Sequence, residues 1–138
     1  MPNSHKIGEY LRLTTNKDVL NPYNLVQIVN TPDFDYIHSP EVEVELIKYV
    51  SHMYRNIDRE KNKGNDKYVR YTVLDLSQVE NIDNIGKNVI RKVNNWHENH
   101  IESPIMIVNC NDQILRYCKT HSFDISDLFT TFEKLNQR

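Results

Sequence analysis

This 138-residue chain has little cysteine, little glycine and no excess of positive charge. The two cysteines, Cys110 and Cys118, are too few for a disulfide framework and fit a reducing compartment. Lys and Arg number 17 against 19 Asp and Glu, a net charge of -2. The two signs are mixed along the chain, which describes a solvated surface and leaves no basic field for a phosphate backbone. The eight tyrosines are not interleaved with Lys or Arg clusters, so no base-stacking platform is present. Nucleic acid is therefore excluded as a partner. No apolar run approaches the ~20 residues that cross a bilayer. The opening Met1-Pro2-Asn3-Ser4-His5-Lys6 has no apolar core of a secretion signal. A soluble, cytoplasmic chain without direct membrane insertion is expected, one that can be the soluble part of a membrane protein.

The length is that of one domain and is sufficient to bury a core without disulfides or a metal. Residues 1–22 are mostly polar and read as an N-terminal extension, with Tyr10-Leu11-Arg12-Leu13 a candidate edge strand. The domain proper is expected over 23–138. Leu25, Val26, Ile28 and Val29 form an apolar run bounded by turn residues, a buried strand. Residues 34–37 alternate in polarity and predict a second strand, paired antiparallel with the first. Ser39-Pro40-Glu41 predicts a helix start with Ser39 as N-cap. Val42, Leu46, Val50 and Met53 then share a face over about four turns. Residues 55–67, rich in Asp, Glu, Lys, Arg and Asn, predict a long mobile loop.

Residues 68–74, rich in β-branched and aromatic types, predict a central strand. Ile85, Val89, Val93 and Trp96 predict the inward stripe of a helix ending near His100. Ile105-Met106-Ile107-Val108 reads as a parallel strand buried on both faces. Asn111-Asp112 can cap a helix with Ile114, Leu115 and Cys118 inward. A last helix from Ser126-Asp127 carries Leu128, Phe129, Phe132 and Leu135. Helices alternating with strands imply parallel crossovers, hence a single α/β domain. A small mixed sheet of about four to five strands is expected, with helices packed mainly on one face.

Val73-Leu74-Asp75-Leu76-Ser77, then Asn81-Ile82-Asp83, then Gly86 and an amphipathic helix resemble the signature of the STAS domain. That family occurs in sulfate permease (SulP) anion transporters and among bacterial anti-sigma-factor antagonists. Asp75, Leu76, Ser77, Val79, Ile82, Asp83 and Gly86 match its pattern, and the likeness extends from Leu25 to Leu135. Two positions depart from it. The residue after the second aspartate, a phosphorylatable serine in the antagonists, is Asn84, and the next serine of the pattern is Ile85. Asparagine accepts no phosphate, so no phosphorylation site stands at the family position. The polar stretch 55–67 is more similar to the transporter-attached domains, where insertions are common.

The resemblance implies a non-catalytic regulatory domain on the cytoplasmic face of an anion transporter, modulating transport, assembly or trafficking. Its partners would be the transmembrane domain of the same transporter or a regulatory protein. The contact surface it implies is Asp83, Asn84, Ile85, Gly86 and Lys87, at the start of a helix whose N–H groups and one lysine would also suit a nucleotide. The alternative is a stand-alone partner-switching protein lacking the usual phosphoserine.

Other patterns carry less. Cys110 and Arg116 have the C-x5-R spacing of cysteine-dependent phosphatases, a remote alternative. That chemistry needs a thiolate in a curled loop of converging N–H groups. The segment holds no glycine and places Asp112 where phosphate would sit. His97 and His100 lack the four-residue spacing of the H-E-x-x-H metal motif, and further ligands are not marked. Neither a metal nor a cofactor is expected.

Overall fold

The computed structural model describes residues 4–120, with side chains through Cys118. The last helix expected from the sequence, beginning at Ser126, lies outside the described residues. Five strands form the main sheet: β1 (Ser4–Lys6), β2 (Leu11–Asn16), β3 (Tyr23–Ile28), β5 (Tyr71–Asp75) and β7 (Met106–Val108), in spatial order β1-β2-β3-β5-β7. The first two pairings are antiparallel and the last two parallel. Helix α1 (Ser39–Asn62) joins β3 to β5, and α2 (Asn84–Ile101) joins β5 to β7. Both crossovers step the same way along the sheet. Crossovers of one hand then place both helices on the same face. Helix α3 (Asp112–Thr120) joins them there, with Ile114 and Cys118 in the same core cluster.

That core is built from alternate strand positions. Leu11 and Leu13, Val26 and Ile28, Leu74, and Ile105 and Ile107 face the helices. Val42, Leu46, Tyr49, Val50, Met53 and Ile57 face them from α1. On the other face of the sheet Val73 and Met106 are paired and buried as well.

Three expectations are corrected. From Ser4 onward the segment expected as an N-terminal extension supplies β1 and β2, the candidate edge strand at Tyr10–Leu13 falls largely within β2, and Leu11 is wholly buried opposite Ile28. The two apolar side chains of β2, Leu11 and Leu13, are the ones that mark the candidate strand in the sequence. The segment 55–67 is helical through Asn62, because Ile57 continues the stripe of Val50 and Met53 one turn further. Its charged residues are good helix formers, and the loop that follows is correspondingly shorter. Residues 34–37 do not pair with β3. Only Asp33–Phe34 forms a strand, β4, and it pairs in parallel with β6 (Asn81–Ile82).

Ser39 is the first residue of α1 and does not cap it. Its Oγ is buried without a partner, while the preceding turn is held by Asp35. The Asp35 carboxylate accepts from the Ile37 and His38 N–H groups and contacts His38 Nδ1 at 2.8 Å. Within α2 the inward positions are Gly86, Lys87, Val89, Ile90, Val93, His97 and Ile101. Trp96 points outward, 39% exposed, and stacks on His100 at 4.7 Å. His97 takes the buried place.

Candidate functional site

Strand β5 ends at Asp75, and the chain runs through Leu76 to Glu80 into β6 and then α2. The apolar positions of this loop are core positions: Leu76 and Val79 are buried. Leu76 N–H donates to the Val108 carbonyl, which ties the loop to the end of β7. Glu80 and Asn81 N–H groups donate to the Pro32 carbonyl, which ties it to β4. At the strand end Asp75 Oδ1 accepts from Ser77 N–H at 2.8 Å, and Gln27 Nε2 donates to Ser77 Oγ at 3.0 Å. The polar side chains of the signature therefore shape the turn.

Asp83 is the N-cap of α2. One carboxylate oxygen accepts from Gly86 N–H at 2.9 Å, and the other accepts from Tyr36 N–H at 2.9 Å. A single side chain thus caps the helix and binds the β4–α1 turn to it. Gly86 is buried against β4. A Cβ added there would press into the Phe34 carbonyl oxygen and lie 3.0 Å from the Phe34 carbonyl carbon. Glycine is required by this close approach, because the obstacle is backbone and cannot rotate away. Asp83→Ala is expected to reduce stability by about 1–2 kcal/mol, the usual range for a lost N-cap. Urea unfolding measures it, and a midpoint equal to the wild type would contradict the double role of this carboxylate.

Of the five residues expected at the contact surface, the structure brings three to the interior or to structural duty. Asp83 is committed to its two N–H partners, and Gly86 is buried. Lys87 does not face solvent. It is wholly buried, with Nζ donating to the Cys118 carbonyl of α3 at 2.8 Å. The periodicity of α2 turns that position inward, beneath α3. Of the features that recommended a nucleotide here, the lysine and the Gly86 N–H group are thus taken up internally. Asn84 and Ile85 do reach the surface. Asn84 Oδ1 accepts from the Tyr117 hydroxyl at 2.9 Å, and Ile85 is 50% exposed.

Sequence reasoning missed two neighbours of this site. Tyr36 and Ile37, 64% and 62% exposed, follow β4 directly and are held beside Asp83 by the Tyr36 N–H bond. Ile85 is a third exposed apolar side chain on the two segments that Asp83 joins at the start of α2. The segments lie far apart in the chain, and a one-strand reading of 34–37 hid them. Sequence reasoning also missed the use made of His97. Its Nδ1 lies 2.6 Å from the Ser103 carbonyl and its Nε2 2.8 Å from Thr72 Oγ1, which is 2.6 Å from the Tyr49 hydroxyl. The carbonyl can only accept, so Nδ1 carries the proton and Nε2 accepts from Thr72. Burial holds the His97 pKa below the ordinary histidine value and pushes Tyr49 up to about 12. This chain of bonds fastens β5 to α1 and α2 inside the core.

After Cys110 the chain turns directly into α3. Asn111 Oδ1 accepts from Ile114 N–H at 2.8 Å and caps α3, and Asn111 Nδ2 donates to the Glu80 carbonyl. Burial, with Asp112 nearby, pushes the Cys110 thiol up. Iodoacetamide at pH 7 is expected to modify Cys110 more slowly than free cysteine, because less thiolate is present; a faster reaction would reverse this assignment. Among the described residues no group of three or more His, Cys, Asp or Glu side chains is arranged to hold a metal ion. No helix among them is long and apolar enough to cross a membrane.

Fold and site together define a small mixed α/β domain with a capped strand-to-helix turn between β5 and α2. No protein-family model matches the chain, and a comparison with curated proteins finds no match. Among solved structures the chain is similar to that of SLC26A9, a SulP-family transporter, at 16% sequence identity and a TM-score of 0.49. The match covers 68% of this chain and 15% of that one. The α/β fold assigned to this chain rests on its own strand order and crossovers.

Proposed function

We propose that this chain is a non-catalytic interaction module of the STAS kind, acting on the cytoplasmic face of a sulfate-permease-type anion transporter. Its task would be to influence transport, assembly or trafficking by docking the membrane domain or a regulatory protein. The observation that carries this reading is the exposure of Tyr36, Ile37 and Ile85 on the two segments that Asp83 joins at the capped helix start. Large apolar side chains grouped at the surface mark partner contacts more often than chance. The surface is preorganised, because Asp83 fixes both segments that bear it. The hydroxyl that a phosphorylation switch would need is absent at Asn84, so the partner-switching alternative has less support.

The test uses the complete transporter in cells, with Tyr36→Ser and Ile85→Asp combined. Both residues are exposed, so normal protein levels are expected, with reduced assembly or reduced uptake of labelled sulfate. Normal assembly and uptake would sink the docking proposal. A natural reading frame that encodes no membrane segments would shift the reading to the stand-alone alternative. The phosphatase alternative is settled by turnover of p-nitrophenyl phosphate, where the wild type and Cys110→Ser are expected to be equally inactive.

A further inference from the structure

The opposite end of the sheet carries a second concave surface. A groove of about 810 Å³ opens at the amino ends of β3 and β5, between the β2–β3 turn and the segment joining α1 to β5. That size lies within the ~300–1,000 Å³ typical of small-molecule sites. Its wall is part apolar and part aromatic, with Leu20, Pro22, Tyr68 and Tyr71 among the lining residues. Leu20 is 56% exposed there, an apolar side chain with its surface still open.

Three cations line the same groove: Lys17, Lys67 and Arg70. None of them has an ion pair among the described residues. The Arg70 guanidinium lies 4.8 Å from the centre of the Tyr68 ring, which steadies it by a cation–π contact. Two acids, Glu60 and Asp66, are also present. Glu60 is turned to its own loop, where Oε2 accepts from Asn65 Nδ2 at 2.7 Å. Three positive against two negative charges leave an excess of one. That balance suits one negative charge on a ligand and is too small for a di- or triphosphate.

We propose that this basal groove binds a small organic monoanion. Its carboxylate or sulfonate is held by Lys17, Lys67 and Arg70, and its aromatic or acyl body lies against Tyr68, Leu20 and Pro22. The site is separate from the α2 start and does not depend on the docking proposal. It would give the domain a place to sense a soluble metabolite while its other end holds a partner.

The test is a titration of the full ¹⁵N-labelled chain with 2-naphthoate. Saturable amide shifts are expected at Leu20 and residues 67–71, with residues 84–87 unmoved. Raising the salt concentration should weaken binding by screening. The neutral isostere 2-naphthamide, and the double variant Lys67→Gln with Arg70→Gln, are each expected to bind about tenfold or more weakly, the scale of a lost charge-assisted hydrogen bond. All altered residues are on the surface, and unchanged amide positions in β3 and α2 verify the fold of the variant. Absence of saturable shifts, shifts centred elsewhere, or equal affinity for the amide or of the double variant would each overturn the proposal.

Discussion

Replacing His97 with alanine is expected to reduce stability by about 3–4 kcal/mol, the largest effect of any single polar change in this core. Two contributions combine. The ring is wholly buried, so its removal leaves a cavity between α2 and β5. The Ser103 carbonyl and the Thr72 hydroxyl also lose partners in a place water does not reach easily. For a domain of this size the shift in melting temperature should be about 10 °C.

The same residue sets a pH dependence. Its folded pKa is depressed by burial, so the folded protein keeps it neutral while the unfolded chain protonates it at about 6.5. The stabilisation is complete above that value and is lost as the pH falls from about 6.5 toward the folded pKa. The limiting slope is about 1.4 kcal/mol per pH unit. Urea unfolding at pH 7.5 and pH 5.5 measures it. The wild type should lose stability over this interval more steeply than His97→Ala, and parallel curves for the two proteins would refute the assignment.

Gly86→Ala should destabilise by about 2 kcal/mol despite improving helix propensity. Alanine gains about 1 kcal/mol over glycine inside a helix. Against that stands a contact with the Phe34 backbone, and forcing extra volume into a packed site costs about 1–3 kcal/mol, occasionally more. Here the steric term wins, because neither the carbonyl oxygen nor its carbon can move without displacing β4. The damage should be local at first. Amide hydrogen exchange should accelerate at Glu80, Asn81 and Asp83, whose N–H groups are bonded to Pro32 and Phe34. An unchanged exchange pattern together with higher stability would mean that β4 yields, and that the close approach is not needed.

Gly86 shows what the signature encodes. Its matching positions are structural: Leu76 and Val79 are core, Asp75 and Ser77 shape the turn, Asp83 caps α2, and Gly86 lets β4 close in. The departing positions, Asn84 and Ile85, both face outward, as does Ser77 among the matching ones. A short motif can therefore be recognisable while saying little about the partner, because the recognisable residues are those that hold the backbone in place.

The parallel strands β3, β5 and β7 and the crossover helices were legible because an apolar run bounded by turn residues, or apolar residues recurring every three or four, define a strand or a helix locally. The α3 cap at Asn111 was legible for the same reason. The extent of α1 was not, since the charged residues 58–61 suit helix and loop alike, and only the burial of Ile57 carries the stripe onward.

What the sequence by itself determined is the succession β3, α1, β5, α2, β7 and α3, the parallel crossovers and the residues of most of the core. Tertiary structure alone decided that β4 pairs with β6, that Lys87 is sealed beneath α3, and that His97 turns inward while Trp96 stays out. The physical reason is one of range. Periodicity fixes a side chain's direction only to within the ~100° that separates neighbours on a helix. At the edge of a stripe, the choice falls to partners far away in the chain: the Phe34 carbonyl, the Thr72 hydroxyl and the Cys118 carbonyl.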